Sequence, residues 1–173
     1  ILVSCGQDRN KTYDSSDESF HSEIENDIRN FIYESEKDEI TITGYSGIEA
    51  SITIPSEIDG LPVTAIAENA FRGFLYLEKV IIPNSVKTID YAFVSCESLE
   101  YVFIGKGVTS MNGAFRGCTS LKTVAGGTNV EYMDEAFLGC RSLVSGAVPS
   151  SARSALSSFS GCTSLKNASI KDG

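Results

Sequence analysis

The chain has no tryptophan and only one histidine, His21, among its 173 residues. Cysteine or serine catalysis needs a base within hydrogen-bond reach, and His21 falls in an acidic N-terminal stretch where we expect it at the surface. Glycine-rich phosphate loops, a Ser-His-Asp order and metal-binding helix motifs are also missing. Carboxylate pairs such as Asp134 with Glu135 fall on expected turns. We therefore predict that the protein is not an enzyme and carries no cofactor.

Clustered basic residues and long apolar runs are missing as well. Residues 1 to 50 hold 12 acidic and 4 basic side chains, so they account for −8 of the total net charge of −9. No part has the Lys and Arg cluster of a phosphate-binding surface, which argues against nucleic acid or an anionic membrane as a partner. No run of 18 apolar residues occurs, so the sequence predicts no membrane-spanning helix.

The chain does contain a repeat of constant length. A phenylalanine returns every 22 residues, and a small residue precedes each one in the same phase. The five positions are Phe71, Phe93, Phe115, Phe137 and Phe159. A period this constant indicates stacked units that bury a shared core, each too small to do so alone.

Other apolar positions keep the same phase and predict the secondary structure of each unit. A leucine follows each phenylalanine by six residues, and two further positions, nine and eleven residues on, are apolar or small. Side chains two apart mark one face of a strand, here about three residues long. The strand pairs are Val80 with Ile82, Val102 with Ile104, Val124 with Gly126, Gly146 with Val148, and Ala168 with Ile170. We predict a repeat solenoid, mainly β with short helical or irregular turns, of about five repeats over residues 63–173.

Residues 20–62 are predicted to cap this solenoid at its N-terminal end. Ser15 and Glu18 have capping-box spacing, and the apolar residues from Phe20 to Phe31 recur at helical intervals. Alternation then predicts a hairpin with a polar turn over residues 34–39, followed by a short strand at Ile52 and Ile54. The cap is therefore a small α+β unit, which protects the exposed core edge of the first repeat.

Four of the five cysteines share one repeat position, three residues after the phenylalanine. They are Cys96, Cys118, Cys140 and Cys162, and the first repeat has Phe74 there. Adjacent units would put these cysteines within disulfide range, but phenylalanine in the same slot indicates a need for apolar volume. We predict buried thiols. Because close C-x-x-C pairs are missing, no metal site is expected.

The order L-x-x-V-x-I-P, V-x-x-I and A-F-x-x-C resembles the BspA-type leucine-rich repeat. It is present as Leu77, Val80, Ile82 and Pro83, then Val86 and Ile89, then Ala92, Phe93 and Cys96. The lead-in from Ile42 to Val63 is similar to that family too. The resemblance spans about residues 40–170. It implies a surface or secreted leucine-rich repeat protein of a bacterium, or a related protein of a protist, whose repeats support adhesion or protein binding. Small residues such as Gly126, Gly146, Ala152 and Ala155 depart from the pattern, so we expect the last two coils to pack more loosely.

The N-terminal residues carry a second, shorter resemblance. Leu2, Val3, Ser4 and Cys5 are similar to the end of a bacterial lipoprotein signal, which would make Cys5 a lipidation site. Residues 1–19 would then be a polar tether after the anchor. The alternative is a cysteine with no such role. The lipoprotein interpretation predicts an exported protein at the cell surface or outside the cell, attached to the membrane only through that lipid.

The repeat phase also predicts where a partner binds. Strand residues that flank the inward apolar ones face outward, and only the first two repeats have large side chains there. The candidate ligand-binding residues are Lys79, Ile81, Tyr101 and Phe103. An aromatic patch with a polar rim is typical of an interface core, whereas the competing interpretation is that these residues are simply good strand formers.

Two functions follow from this arrangement. In the first, the repeats bind a protein or glycan on a host or neighbouring cell. In the second, the chain is a structural spacer or self-associating unit without a discrete ligand. The strand at Ala168 to Ile170 has no obvious polar cap over Phe159 and Leu165. That edge predicts self-association at the C-terminal end of the solenoid.

Overall fold

The computed structural model describes residues 28–171, which are almost entirely strands and turns. A single 3₁₀ turn, Ile28–Asn30, precedes the first strand, and no α-helix occurs within this range. Cys5, the polar tether over residues 1–19, His21 and most of the helix predicted from Phe20 to Phe31 lie outside the described residues. These remain sequence predictions.

The predicted hairpin is present, with a tighter turn than expected. Strand β1 (Phe31–Glu36) pairs antiparallel with β2 (Glu39–Tyr45). The turn is only Lys37 and Asp38, whose φ angles of 51° and 65° match the two left-handed residues of a type I′ hairpin turn. The polar residues from Glu34 to Glu36, expected in the turn, belong to the exposed strand β1.

The hairpin belongs to a four-stranded sheet, and a second sheet begins after it. Strand β3 (Ser51–Thr53) is followed by β4 (Glu57–Ile58) and β5 (Leu61–Ile66), and β5 pairs in parallel with β2 to give the order β1-β2-β5-β4. Strand β3 instead pairs in parallel with a strand of the first repeat. The repeat sheet therefore starts at residue 51, twelve residues before the predicted solenoid boundary at 63.

The repeats form parallel strands in exact 22-residue register. Strands β6 (Lys79–Ile82), β7 (Tyr101–Ile104) and β8 (Thr123–Gly126) extend the sheet from β3, while β9 (Ser145–Pro149) and β10 (Asn167–Lys171) form a separate pair. A second side of each coil is linked by single-residue parallel bridges. That line connects Ala65, Thr88, Ser110, Tyr132 and Ser154.

The recurring phenylalanines stack as one column through the core. Successive ring centroids from Phe71 to Phe159 are 4.9, 5.5, 5.7 and 5.5 Å apart, and each pair of rings is within 16° of parallel. Tyr45 extends the column at its N-terminal end, 5.8 Å from Phe71. The backbone adds to this stack, because the N–H of Phe93 donates to the carbonyl of Ala114 at 2.9 Å and the next coils repeat that bond. The solenoid prediction is confirmed.

Each phenylalanine lies between two residues in the left-handed backbone region. The residues two positions before it have φ from 53° to 64°, and those two positions after it have φ from 58° to 77°. The first set is Asn69, Tyr91, Gly113, Glu135 and Ser157; the second is Gly73, Ser95, Gly117, Gly139 and Gly161. These turns replace the short helices allowed by the sequence pattern, since each left-handed residue interrupts a helix.

The four repeat cysteines are free thiols inside the core. Cys96, Cys118 and Cys140 are fully buried and Cys162 is partly buried. Each Sγ donates to the carbonyl of a phenylalanine 25 residues earlier, as Cys118 does to Phe93 at 3.2 Å. The prediction of buried, unpaired thiols is confirmed for Cys96, Cys118 and Cys140, whereas Cys162 is unpaired but only partly buried.

Candidate functional site

The sheet brings the predicted binding residues together on its outward face. Lys79 pairs with Tyr101, and Ile81 pairs with Phe103, so the four side chains form two neighbouring columns across β6 and β7. Because side chains alternate along a strand, these residues point away from the buried Val80, Ile82, Val102 and Ile104. The placement predicted by the repeat phase is therefore present.

Ile81 does not have the exposure that the sequence predicts. Only 5% of it is accessible, whereas Lys79, Tyr101 and Phe103 are half-buried. Ile81 is flanked on the same face by Thr53 of β3 and Phe103 of β7, and neighbouring strands are only ~4.8 Å apart. The strand at Ile52 and Ile54 was predicted to belong to the cap, whereas it pairs with β6 as β3 and supplies the second neighbour. Ile81 supports the surface from below and offers little area to a partner.

Lys79 and Tyr101 form the polar edge of this face. The Lys79 Nζ lies 5.5 Å from the centre of the Tyr101 ring, within cation–π range. Partial burial disfavours the charged ammonium and lowers the pKa of Lys79 from its ordinary value. Below them, Lys122 pairs with Glu100 at 2.7 Å in an exposed ion pair. The aromatic ring is thus held beside a rim of charged side chains.

Two exposed apolar residues next to this face were missed by the sequence analysis. Leu75 and Tyr76 are each 63% exposed and lie on the loop that leads into β6. Their positions in the later repeats hold polar residues, namely Glu97 and Ser98, Thr119 and Ser120, Arg141 and Ser142, and Thr163 and Ser164. The departure from that polar pattern was the available signal. We call Leu75, Tyr76, Lys79, Tyr101 and Phe103 the aromatic surface.

A neighbouring loop adds to the apolar character of this end of the sheet. Ile48 is 78% exposed, the largest value among the exposed apolar residues of the described range. Its loop is fixed to the start of β6, because the carbonyl of Ala50 accepts hydrogen bonds from the N–H groups of Glu78 and Lys79 at 2.7 and 2.9 Å. Exposed apolar side chains that cluster in this way are typical of interaction surfaces.

A separate apolar cleft lies where the repeat sheet is interrupted. Strands β8 and β9 do not pair, although their coils are bonded on either side, at Thr119 with Ser142 and at Glu131 with Arg153. A cavity of about 390 Å³ opens in this gap, lined by core residues that include Val124, Phe137, Leu143 and Phe159. The looser packing expected for the last coils is confirmed by this cleft and by the partial exposure of Phe159.

Glycines account for the interruption. Gly126 and Gly127 have φ angles of 80° and 67°, so the chain leaves the extended conformation at the end of β8, whereas Ile104 at the end of β7 is not in the left-handed region. Gly146 removes an inward side chain, and the ring of Phe159 occupies the space where its Cβ would be. Strands β8 and β9 are therefore not paired with each other, while the phenylalanine column stays continuous.

The Cys140 thiol is poorly suited to nucleophilic chemistry. Burial raises the pKa of the Cys140 thiol from its ordinary value of 9.0 to about 12, so its reactive thiolate is scarce at neutral pH. Among residues 28–171, no three His, Cys, Asp or Glu side chains gather closely enough to hold a metal ion. None of the helical segments in that range has the length and hydropathy that a bilayer crossing needs.

Solved bacterial leucine-rich repeat proteins share this architecture. The Treponema pallidum leucine-rich repeat protein is 31% identical over 84% of this chain and 71% of its own, with a TM-score of 0.79. A leucine-rich cell surface protein from Faecalibacterium prausnitzii is 30% identical, with a TM-score of 0.70, and this chain covers 39% of it. A Bacteroides ovatus leucine-rich repeat protein shares the fold at 23% identity and a TM-score of 0.60, with 84% of this chain and 47% of that protein covered.

No curated protein matches the chain. The model of the BspA-type leucine-rich repeat region does match, over residues 45–166 and in six copies, one more than the five phenylalanines. The added copy agrees with β3, which opens the repeat sheet before the first phenylalanine. The register of the strands, the stacked phenylalanine column and this match over most of the chain have one explanation: the chain belongs to the BspA-type leucine-rich repeat family.

Proposed function

We propose that this chain is a non-catalytic adhesion module of a bacterial cell surface, and that it binds a partner protein through the aromatic surface. The observation that carries the proposal is the 63% exposure of Leu75 and Tyr76 on the loop that leads into β6, the strand that pairs with the one carrying Tyr101. Large apolar and aromatic side chains with a charged rim supply the desolvated centre and the polar edge that protein interfaces use. A partner protein can cover the whole surface, which spans β6, β7 and the loop that leads into β6.

The experiment compares binding of the intact chain and two variants to immobilised extracellular host proteins. The test variant is Leu75→Thr with Tyr76→Ser, which copies Thr119 and Ser120 of a later repeat and so suits the same loop. We expect at least about a tenfold loss of affinity, the size seen when interface anchors are truncated. A second variant, Tyr101→Ala with Phe103→Ala, should lose binding with little change in melting temperature.

Tyr132→Ser supplies the matched control. Tyr132 is 43% exposed and lies on the bridge line, where the neighbouring coils have Ser110 and Ser154. This variant removes an exposed tyrosine away from the aromatic surface and should bind normally. Full binding by the Leu75 and Tyr76 variant, or equal loss in the control, would contradict the proposal.

Self-association without a discrete ligand is the alternative function. It predicts a mass that rises with concentration in light scattering, together with no partner in the binding experiment. A monomer at every concentration would exclude end-to-end assembly of this chain.

The cell-surface location rests on the sequence and on one relative. The Faecalibacterium prausnitzii relative is a cell surface protein, and Cys5 follows Leu2, Val3 and Ser4 in the order of a lipoprotein signal. We propose Cys5 as the lipid attachment point. Expression of the complete gene in a bacterial host with an alkyne-tagged fatty acid should label the protein, and Cys5→Ser should abolish the label. Labelling that persists in Cys5→Ser would exclude this role.

A further inference from the structure

A second groove crosses the turns of four successive coils, on the side of the solenoid that carries the left-handed residues. Its volume of about 550 Å³ falls within the range of about 300–1,000 Å³ that small-molecule sites occupy. The groove is lined by Arg72 from the first coil, Tyr91 and Val94 from the second, Arg116 from the third and Leu138 from the fourth. The aromatic surface shares no residue with it.

Tyr91 is the unusual residue of this groove. Its φ of 53° places a bulky side chain in the left-handed region, which the equivalent positions fill with Asn69, Gly113, Glu135 and Ser157. The ring lies directly over Gly113, where any Cβ would overlap it. Tyr91 is 37% exposed, so its ring packs over Gly113 and also offers area to the groove. All five coils are left-handed at this position, so the distinguishing feature of this coil is the bulky ring that the turn places in the groove.

Apolar side chains form the floor beside this ring. Val94 is only 8% exposed, and it occupies the position that Arg72 and Arg116 hold in the adjacent coils. The change from arginine to valine places an apolar side chain in the coil between the two that carry arginine. Gly117 also lines the groove, and it has no side chain that would enter it.

Planar polar groups form the rims. The Arg72 Nη1 donates to the Asn69 Oδ1 at 3.1 Å, and the Asn69 Nδ2 donates to the Glu68 Oε1 at 3.3 Å. On the other rim, the Arg116 Nη1 donates to the Glu135 Oε2 at 2.9 Å. A guanidinium has five N–H donors, so each arginine retains donors for a ligand.

The charges at the groove balance. Arg72, Arg116 and Glu68 line the groove, and Arg116 is paired with Glu135 just outside the lining. Two cations therefore stand against two carboxylates, which gives no net charge to attract a phosphate or another anion. A suitable ligand is uncharged, has one flat apolar face for the tyrosine ring, and carries several hydroxyl groups along its edge. A pyranose sugar has this combination, because its axial C–H groups form an apolar face and its vicinal hydroxyls accept and donate in pairs.

We propose that the groove around Tyr91 binds a neutral pyranose unit of a glycan. The sugar ring stacks on the exposed face of Tyr91 above Val94, and its hydroxyls bond to Arg72, Asn69 and Arg116. This site is separate from the protein-binding role of the aromatic surface.

A glycan array probed with the intact chain tests the proposal, with neutral, sialylated or uronic, and sulfated oligosaccharides as separate arms. We expect binding in the neutral arm and a loss of at least tenfold in Tyr91→Asn, measured by calorimetry with the best neutral sugar of the array. Asparagine fills the same position at Asn69 and suits the left-handed region, so this variant should melt no lower than the parent. Tyr132→Ser is the control and should bind the sugar normally.

Three results would overturn the proposal: no binding in any arm, binding confined to the acidic or sulfated arms, or unchanged affinity in Tyr91→Asn. The Leu75→Thr with Tyr76→Ser variant separates the two sites. It should keep sugar binding while it loses protein binding, so failure of one role leaves the other measurable.

Discussion

The architecture is fixed by side chains that occupy the same position in every coil. Phe93 and Phe115 are fully buried, and each stacks on a ring on both sides. A smaller side chain at either position would therefore leave the column unfilled. The preceding alanines are equally constrained, and Ser158 replaces one of them only because its Oγ donates to the carbonyl of Met133 at 2.7 Å. The core therefore tolerates a polar atom where a backbone partner exists.

We expect Phe115→Ala to cost about 3–5 kcal/mol of the free energy of unfolding, as for other buried phenylalanines. Phe159→Ala is the matched change at a partly exposed ring beside the cleft, and it should cost roughly half as much or less, because less buried contact is lost. Urea unfolding followed by circular dichroism measures both values. Equal losses would show that the last coil packs as tightly as the middle one.

The cysteine ladder predicts a stability that falls at alkaline pH. The folded protein holds the Cys140 pKa at about 12, while the unfolded chain releases the proton near the ordinary value of 9.0. Ionisation therefore favours the unfolded chain between these two pH values, and the stability present below pH 9.0 is lost progressively as the pH rises toward 12.

The Cys140→Ala variant checks this expectation. It should start from lower stability at neutral pH because it leaves a small cavity, yet its stability should decline less between the two pH values than that of the parent. Urea midpoints across the alkaline range give the comparison. Parallel decline in both proteins would assign the alkaline loss to other groups.

The sequence predicted burial well for residues whose neighbours all lie in the repeats. It predicted burial less well for a residue that has a neighbour outside the repeats. The thiols and the phenylalanines follow from phase alone. Ile81 was predicted exposed because its strand was treated as the first of the sheet, and β3 then covered its open side. A residue on an edge strand and one on an inner strand have the same local sequence but a different exposure.

Among the elements, the strands followed their apolar alternation and the turns did not. Strand β1 has one buried residue, Phe31, followed by five exposed ones, so its polar sequence resembled a turn. The tight turn at Lys37 and Asp38 is fixed by hairpin twist and has no glycine to mark it. The turns, predicted as short helical or irregular, are irregular and built on left-handed pairs, for which only the glycines after four of the phenylalanines gave a sign.

The interrupted sheet predicts unequal protection from hydrogen exchange. Strands β9 and β10 form a two-stranded pair beside the cleft, while β6 and β7 lie inside a four-stranded sheet. We expect amides of β9 and β10 to exchange at least about tenfold faster than those of β6 and β7, because fewer neighbours oppose local opening. Mass spectrometry of peptides from both regions measures this. Equal protection would mean that the coils open only together.

For the whole molecule, the constant period was enough to predict a solenoid and the outward placement of Lys79, Tyr101 and Phe103. It was not enough to predict the full aromatic surface, since Leu75 and Tyr76 are recognised only as departures from a polar column. The Tyr91 groove was missed for a related reason. Its parts come from four coils, and they meet only because residues 22 apart become neighbours in space.

The gap between β8 and β9 also has a mechanical consequence. The backbone hydrogen bonds between coils run along the solenoid axis, so tension on its two ends stretches them directly. Every other pair of repeat strands from β3 to β10 shares a sheet ladder, whereas the pair at the gap is joined only on its other sides. Under tension the solenoid should separate first between the coils of Gly126 and Gly146. The coils that carry the aromatic surface would then stay folded at forces that already open this gap.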